Sequence, residues 1–151
     1  MTKTILLGLA LLVAGLSAPL RAADPDPVPA DLQAETTARL FKPIPGKAVI
    51  YLLRERNDLW TLGVPVYLDG RNMGSTEPMT YMRWEVEPGP HVVVSDASPP
   101  AALQVNTEPG GVYYVWQDLN PGHHRSPSAL YLVDQTTARA VVGNATLLKS
   151  Q

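Results

Sequence analysis

Residues 64–95 read VPVYLDGRNMGSTEPMTYMRWEVEPGPHVVVS, and their punctuation decides the fold. Asp69-Gly70 sits between two short strand-like runs, 64–68 and 72–74. A two-residue hairpin loop needs positive φ at its centre, which Asp tolerates and Gly prefers, so this pair predicts a tight hairpin. Pro65 lacks an N–H and places its strand at a sheet edge or start. Residues 80–86 then alternate. Thr80, Met82, Trp84 and Val86 fall on one side, the core side; Tyr81, Arg83 and Glu85 fall on the other. Glu87-Pro88-Gly89-Pro90 turns the chain, and HVVVS at 91–95 returns it.

The same grammar extends outward. Residues 48–53 (AVIYLL) are apolar on both alternating sets, which predicts a strand covered on both faces. Residues 54–58 are charged and turn-forming. Residues 101–107 alternate weakly, and Pro109-Gly110-Gly111 makes another turn, with positive φ expected at Gly89, Gly110 and Gly111. VYYVWQ at 112–117 and ALYLV at 129–133 are aromatic and branched strands. Thr136 or Thr137 can cap a short helix running to Val142 and ended by Gly143. Short strands separated by Gly and Pro turns, without βαβ alternation, predict an all-β, mainly antiparallel sandwich of the immunoglobulin or prealbumin type, with a short C-terminal helix, over residues 46–151.

The N-terminus reads differently. Lys3, an uncharged apolar run over 5–16, and Leu20-Arg21-Ala22 follow the order of a cleavable secretory signal, residues 1–22. The run is shorter than the ~20 residues of a membrane span. ADPDPVPA at 23–30 is an extended tether, and residues 31–40 form either a short helix capped by Asp31 or a flexible stretch, so 23–45 is a Pro-rich leader. The chain has no cysteine, which excludes a lipid-anchored lipoprotein and disulfide staples alike. Cleavage would leave 10 basic against 14 acidic residues, net −4, a balance that argues against nucleic acid as partner. The expected location is periplasmic or secreted, without a lipid anchor or stable membrane span.

Gly46-Lys47-Ala48, Ile50-Tyr51, Arg54, Val66-Tyr67-Leu68-Asp69-Gly70, Gly74, Tyr81, Val86-Glu87-Pro88-Gly89-Pro90-His91 and Gly111-Val112-Tyr113-Tyr114-Val115 stand in an order that resembles the bacterial family catalogued as domain of unknown function 2846. Residues 66–94 also resemble the short PEGA-type surface modules. The resemblance implies an envelope-associated β-sandwich and no particular reaction. The chain departs from many such relatives in lacking a lipobox cysteine, and the run 121–127 has no counterpart.

Chemistry is sparse. His123-His124 beside Asp118 suggests a weak metal site, but adjacent residues of an extended segment point apart, and a useful site needs three or four ligands. His91 with Asp69 and Glu87 is the nearest approach to a hydrolase site, without a Gly-x-Ser-x-Gly elbow or a thiol. Glu85 and Glu87 form a carboxylate pair, read here as a solvated face. No glycine-rich phosphate loop appears, so no cofactor is expected. Asn144-Ala145-Thr146 matches a glycosylation sequon by chance. Trp60, with Tyr67 or Tyr81, is the candidate surface for stacking a sugar ring or anchoring a partner. The expected function is a non-enzymatic exported module that binds or supports an envelope protein or polysaccharide.

Overall fold

The structure, a computed structural model, describes residues 27–55, 63–119 and 128–151. The signal segment, Trp60 and His123-His124 lie outside the described residues. The elements run α1 (Leu32–Ala38), β1 (Ala48–Arg54), β2 (Val64–Leu68), β3 (Arg71–Thr76), β4 (Thr80–Val86), β5 (Gly89–Ser95), β6 (Ala101–Thr107), β7 (Val112–Leu119), β8 (Ser128–Val133), α2 (Gln135–Val142) and β9 (Thr146–Leu147). They make two sheets, β8-β7-β1-β4-β9 and β3-β2-β5-β6. The all-β, sandwich-like architecture expected from the turn pattern is present, with both helices short. The five-stranded sheet is mixed, because β1 pairs with β7, and β4 with β9, in parallel.

β1 is buried along its whole length, as its unbroken apolar run requires. Its two faces feed two cores. Ile50, Leu52, Met82, Trp84 and Val115 meet Val66, Leu68, Val93 and Val105 of the other sheet. Val49, Tyr51, Leu53, Tyr81 and Tyr114 pack instead against Ala38, Phe41, Ala138, Val141 and Val142. The outer face of the five-stranded sheet is therefore covered by both helices, not by water. Residues 28–45, set apart as a leader in the sequence, are built into this second core. Asp31 caps α1 by accepting from the Ala34 N–H at 2.8 Å, and Tyr51 Oη donates to the Ala38 carbonyl at 2.7 Å. Pro29 pairs with Leu148, held by Ala30 N–H to Leu147 O at 2.8 Å and Lys149 N–H to Val28 O at 2.7 Å.

Arg39 ties the helices together. Its guanidinium donates to the carbonyls of Val142, Gly143 and Ala145 at 2.8, 3.2 and 3.0 Å, at and just beyond the C-terminal end of α2, while Glu35 accepts from it at 2.7 Å. Arg39→Met should cost about 1–2 kcal/mol, read from the urea midpoint. An unchanged midpoint would show that this clasp does not hold α1 to α2.

The turns follow their chemistry with two corrections. Asp69 and Gly70 carry φ of 52° and 81° and join Leu68 to its partner Arg71, a hairpin of the expected kind. Glu87-Pro88 carries the chain from one sheet to the other, with Gly89 at φ 143°. Gly110 has φ 75°, but Gly111 does not have positive φ. Its need for glycine is steric: an added Cβ would lie 2.6 Å from the Tyr113 ring, whose hydroxyl accepts from Glu108 N–H at 2.9 Å. The cap of α2 is Asp134, accepting from Thr137 N–H at 2.7 Å, rather than Thr136 or Thr137, and Gly143 ends the helix as expected.

Candidate functional site

Antiparallel pairing of β7 with β8 places Trp116 opposite Tyr131 and Asp118 opposite Ala129. Parallel pairing with β1 places Leu53 beside Trp116, so Glu55, two residues on, lies towards Asp118. Alternation then puts Glu55, Trp116, Asp118 and Tyr131 on one face of the sheet, the face that α2 covers further along at Tyr114. Beyond the helix, among the described residues, that face is less covered. The two rings lie nearly parallel, 15° between planes and 6.4 Å between centroids. Trp116 is half-buried and Tyr131 is 43% exposed. Partial burial and the negative charges of Asp118 and Glu55 all push the Tyr131 phenol above its ordinary pKa, so the rim of this aromatic strip is acidic.

Of the residues singled out for stacking, Tyr67 and Tyr81 are not brought together. Tyr67 is half-buried on the outer face of the four-stranded sheet, opposite Val94. Tyr81 is fully buried on the helix-covered face of the other sheet and is corrected here to a core residue. Burial pushes its phenol up to about 12. The alternation of β4 was right; what it did not reveal was that its second side is roofed by helices. Trp116 and Tyr131 were missed because their nearness depends on the β7–β8 register. The only local signal was the aromatic run over 112–117.

His91 and Asp69 do converge. His91 Nδ1 lies 2.7 Å from Asp69 Oδ2, and Nε2 lies 2.7 Å from the Glu87 carbonyl. Asp69 Oδ1 also accepts from Val92 N–H at 2.8 Å. Glu87 offers this ring its backbone, while its carboxylate takes Lys47. Glu85 pairs with Arg83 at 2.7 Å, so the two glutamates do not face each other as a pair. Both imidazole nitrogens thus face acceptors, which favours the imidazolium and leaves no lone pair to receive a nucleophile's proton. Burial pulls the His91 pKa down, but the bonds to Asp69 and Glu87 and the Asp69 charge outweigh it, and the pKa is raised. Asp69 is raised by burial but lowered more by His91 and the Val92 N–H.

The sign follows from these shifts. The His91 contribution is complete below its ordinary value of 6.5 and is lost as pH rises through the raised folded value. The Asp69 contribution is complete above 3.8 and is lost as pH falls through the lowered one. The stability gap between the wild type and His91→Gln should therefore be wider at about pH 5.5 than at about pH 9, by urea unfolding. Equal gaps would refute the latch.

A separate cleft of about 330 Å³ lies under the leader and the last residues, lined in part by Val28, Gly74, Met82, Leu148 and Lys149. Among the described residues, no three His, Asp or Glu side chains group to hold a metal, and no helix is long and apolar enough to cross a membrane. Compared with protein-family models, curated proteins and solved structures, the chain matches none. The likeness to the family of unknown function 2846 rests on the quoted motifs alone.

Proposed function

We propose that this chain is an exported, envelope-associated module that works by binding rather than by catalysing a reaction. The observation that carries the reading is the half-open Trp116–Tyr131 strip with Asp118 and Glu55 at its rim. Leaving large rings partly in water forgoes burial energy, and such surfaces mark contact sites. The His91–Asp69 geometry favours a structural latch over a hydrolase base. The signal-like N-terminus and the resemblance to envelope β-sandwich families support an extracytoplasmic setting. The test is cosedimentation of the purified mature chain with isolated bacterial envelopes. The wild type should pellet with them and Tyr131→Ala should stay largely in the supernatant. Equal distribution of both proteins, with or without envelopes, would end the reading.

A further inference from the structure

We infer that the Trp116–Tyr131 strip takes an uncharged polysaccharide, one sugar ring laid on the aromatic surface with its hydroxyls donating to Asp118 and Glu55. This inference rests on the binding reading above and narrows its ligand. Three observations select the ligand class. First, both rings rise from adjacent strands on one sheet face and lie within 15° of parallel. They stack across the two strands, and the more exposed Tyr131 ring leaves an open aromatic surface rather than a closed cage for a point cation. A pyranose has the matching shape, with an apolar C–H face to lay on rings and hydroxyls around its edge. Second, the neighbouring polar groups are carboxylates, which only accept hydrogen bonds when ionised. They call for a ligand rich in donors. Asp118 sits two residues along β7 from Trp116, about 7 Å along the strand, within reach of the periphery of a stacked sugar. Third, the rim is negative, and so is the net charge of the chain, −2 at pH 7. Acidic polymers would be repelled from this face.

Edge strand β8 suits a polymer. It carries no charged residue and forms the free edge of its sheet, so a chain lying on Tyr131 can run on over that edge.

Affinity electrophoresis of the full mature chain tests this, using gels cast with hydroxyethylcellulose, glucomannan or dextran as neutral probes, alginate as an anionic probe, and a lysine oligomer in competition. At least one neutral polymer should retard the wild type. Tyr131→Ala should weaken that retardation about tenfold, and Asp118→Asn, which keeps the shape but removes an ionised acceptor, should weaken it severalfold. Tyr67→Ala, on the opposite sheet, should leave it unchanged. No retardation by any neutral polymer overturns the inference, as does equal retardation of wild type, Tyr131→Ala and Asp118→Asn. Envelope cosedimentation that depends on Tyr131 but is displaced by the lysine oligomer, without neutral-polymer binding, would keep the binding reading and transfer the strip to a cationic partner.

Discussion

Trp84→Ala should lower stability by about 3–5 kcal/mol, the range for emptying a large buried aromatic site, and lower the melting temperature by roughly 10–20 °C. Trp84 is 3% exposed and stands opposite Ile50 on β1. It belongs to the core between the sheets, where Met82, Val86, Leu68 and Met73 also pack. Its indole N–H is not left unpaired, because Ser150 Oγ accepts it at 2.9 Å. Removing the ring therefore empties the inter-sheet space and strands a hydroxyl near the chain's last residues. Trp116→Ala should cost clearly less, since that ring is only half-buried. Differential scanning calorimetry on both variants reads the contrast. Equal losses, or a loss under about 1 kcal/mol at Trp84, would mean that the sheets do not close on this residue.

Gln117→Leu should cost about 2–4 kcal/mol although it exchanges a polar amide for apolar surface in a buried place. Gln117 is buried on β7, and its amide spans the gap between the sheets. Its carbonyl accepts from Thr76 Oγ1 of β3 at 2.6 Å, and its amide donates to Ser95 Oγ of β5 at 2.6 Å. Ser128 Oγ of β8 donates to the same Ser95 at 2.6 Å, and buried Arg54 donates to the Thr76 carbonyl at 2.6 Å. Leucine would leave the hydroxyls of Thr76 and Ser95 without the amide between them, and desolvated polar groups left unpaired cost more than an intact bond contributes. The triple variant Gln117→Leu, Thr76→Val, Ser95→Ala should regain part of the loss by removing the two hydroxyls that faced the amide, although Ser128 Oγ then loses its acceptor at Ser95. Urea unfolding of the single and triple variants decides it. A triple variant weaker than the single one would show that the relay's value lies elsewhere.

The sequence made some of this legible for physical reasons. AVIYLL could be read as doubly covered because both alternating sets are apolar, and the Asp69-Gly70 hairpin because few residue pairs tolerate that backbone. Tyr81 could not be placed, since its environment is supplied by α1 and α2, which lie more than forty residues away in either direction. Arg54 was read as the start of a charged turn, yet it ends β1 fully buried, because a polar relay between the sheets receives it. The parallel pairing of β1 with β7 leaves no local trace at all. The strip of Trp116 and Tyr131 is in the same position: each ring is visible in the sequence, but their adjacency exists only in the strand register.

The pairing of residues 28–30 with 147–149 sets an order of events during biosynthesis. The stretch at 28–30 has no strand to lie against until residues 147–149 have been made. α1 must likewise wait for α2 to roof the sheet with it. Until those residues are made, the segment before β1 has no settled place on the domain, whatever the strands between have already formed.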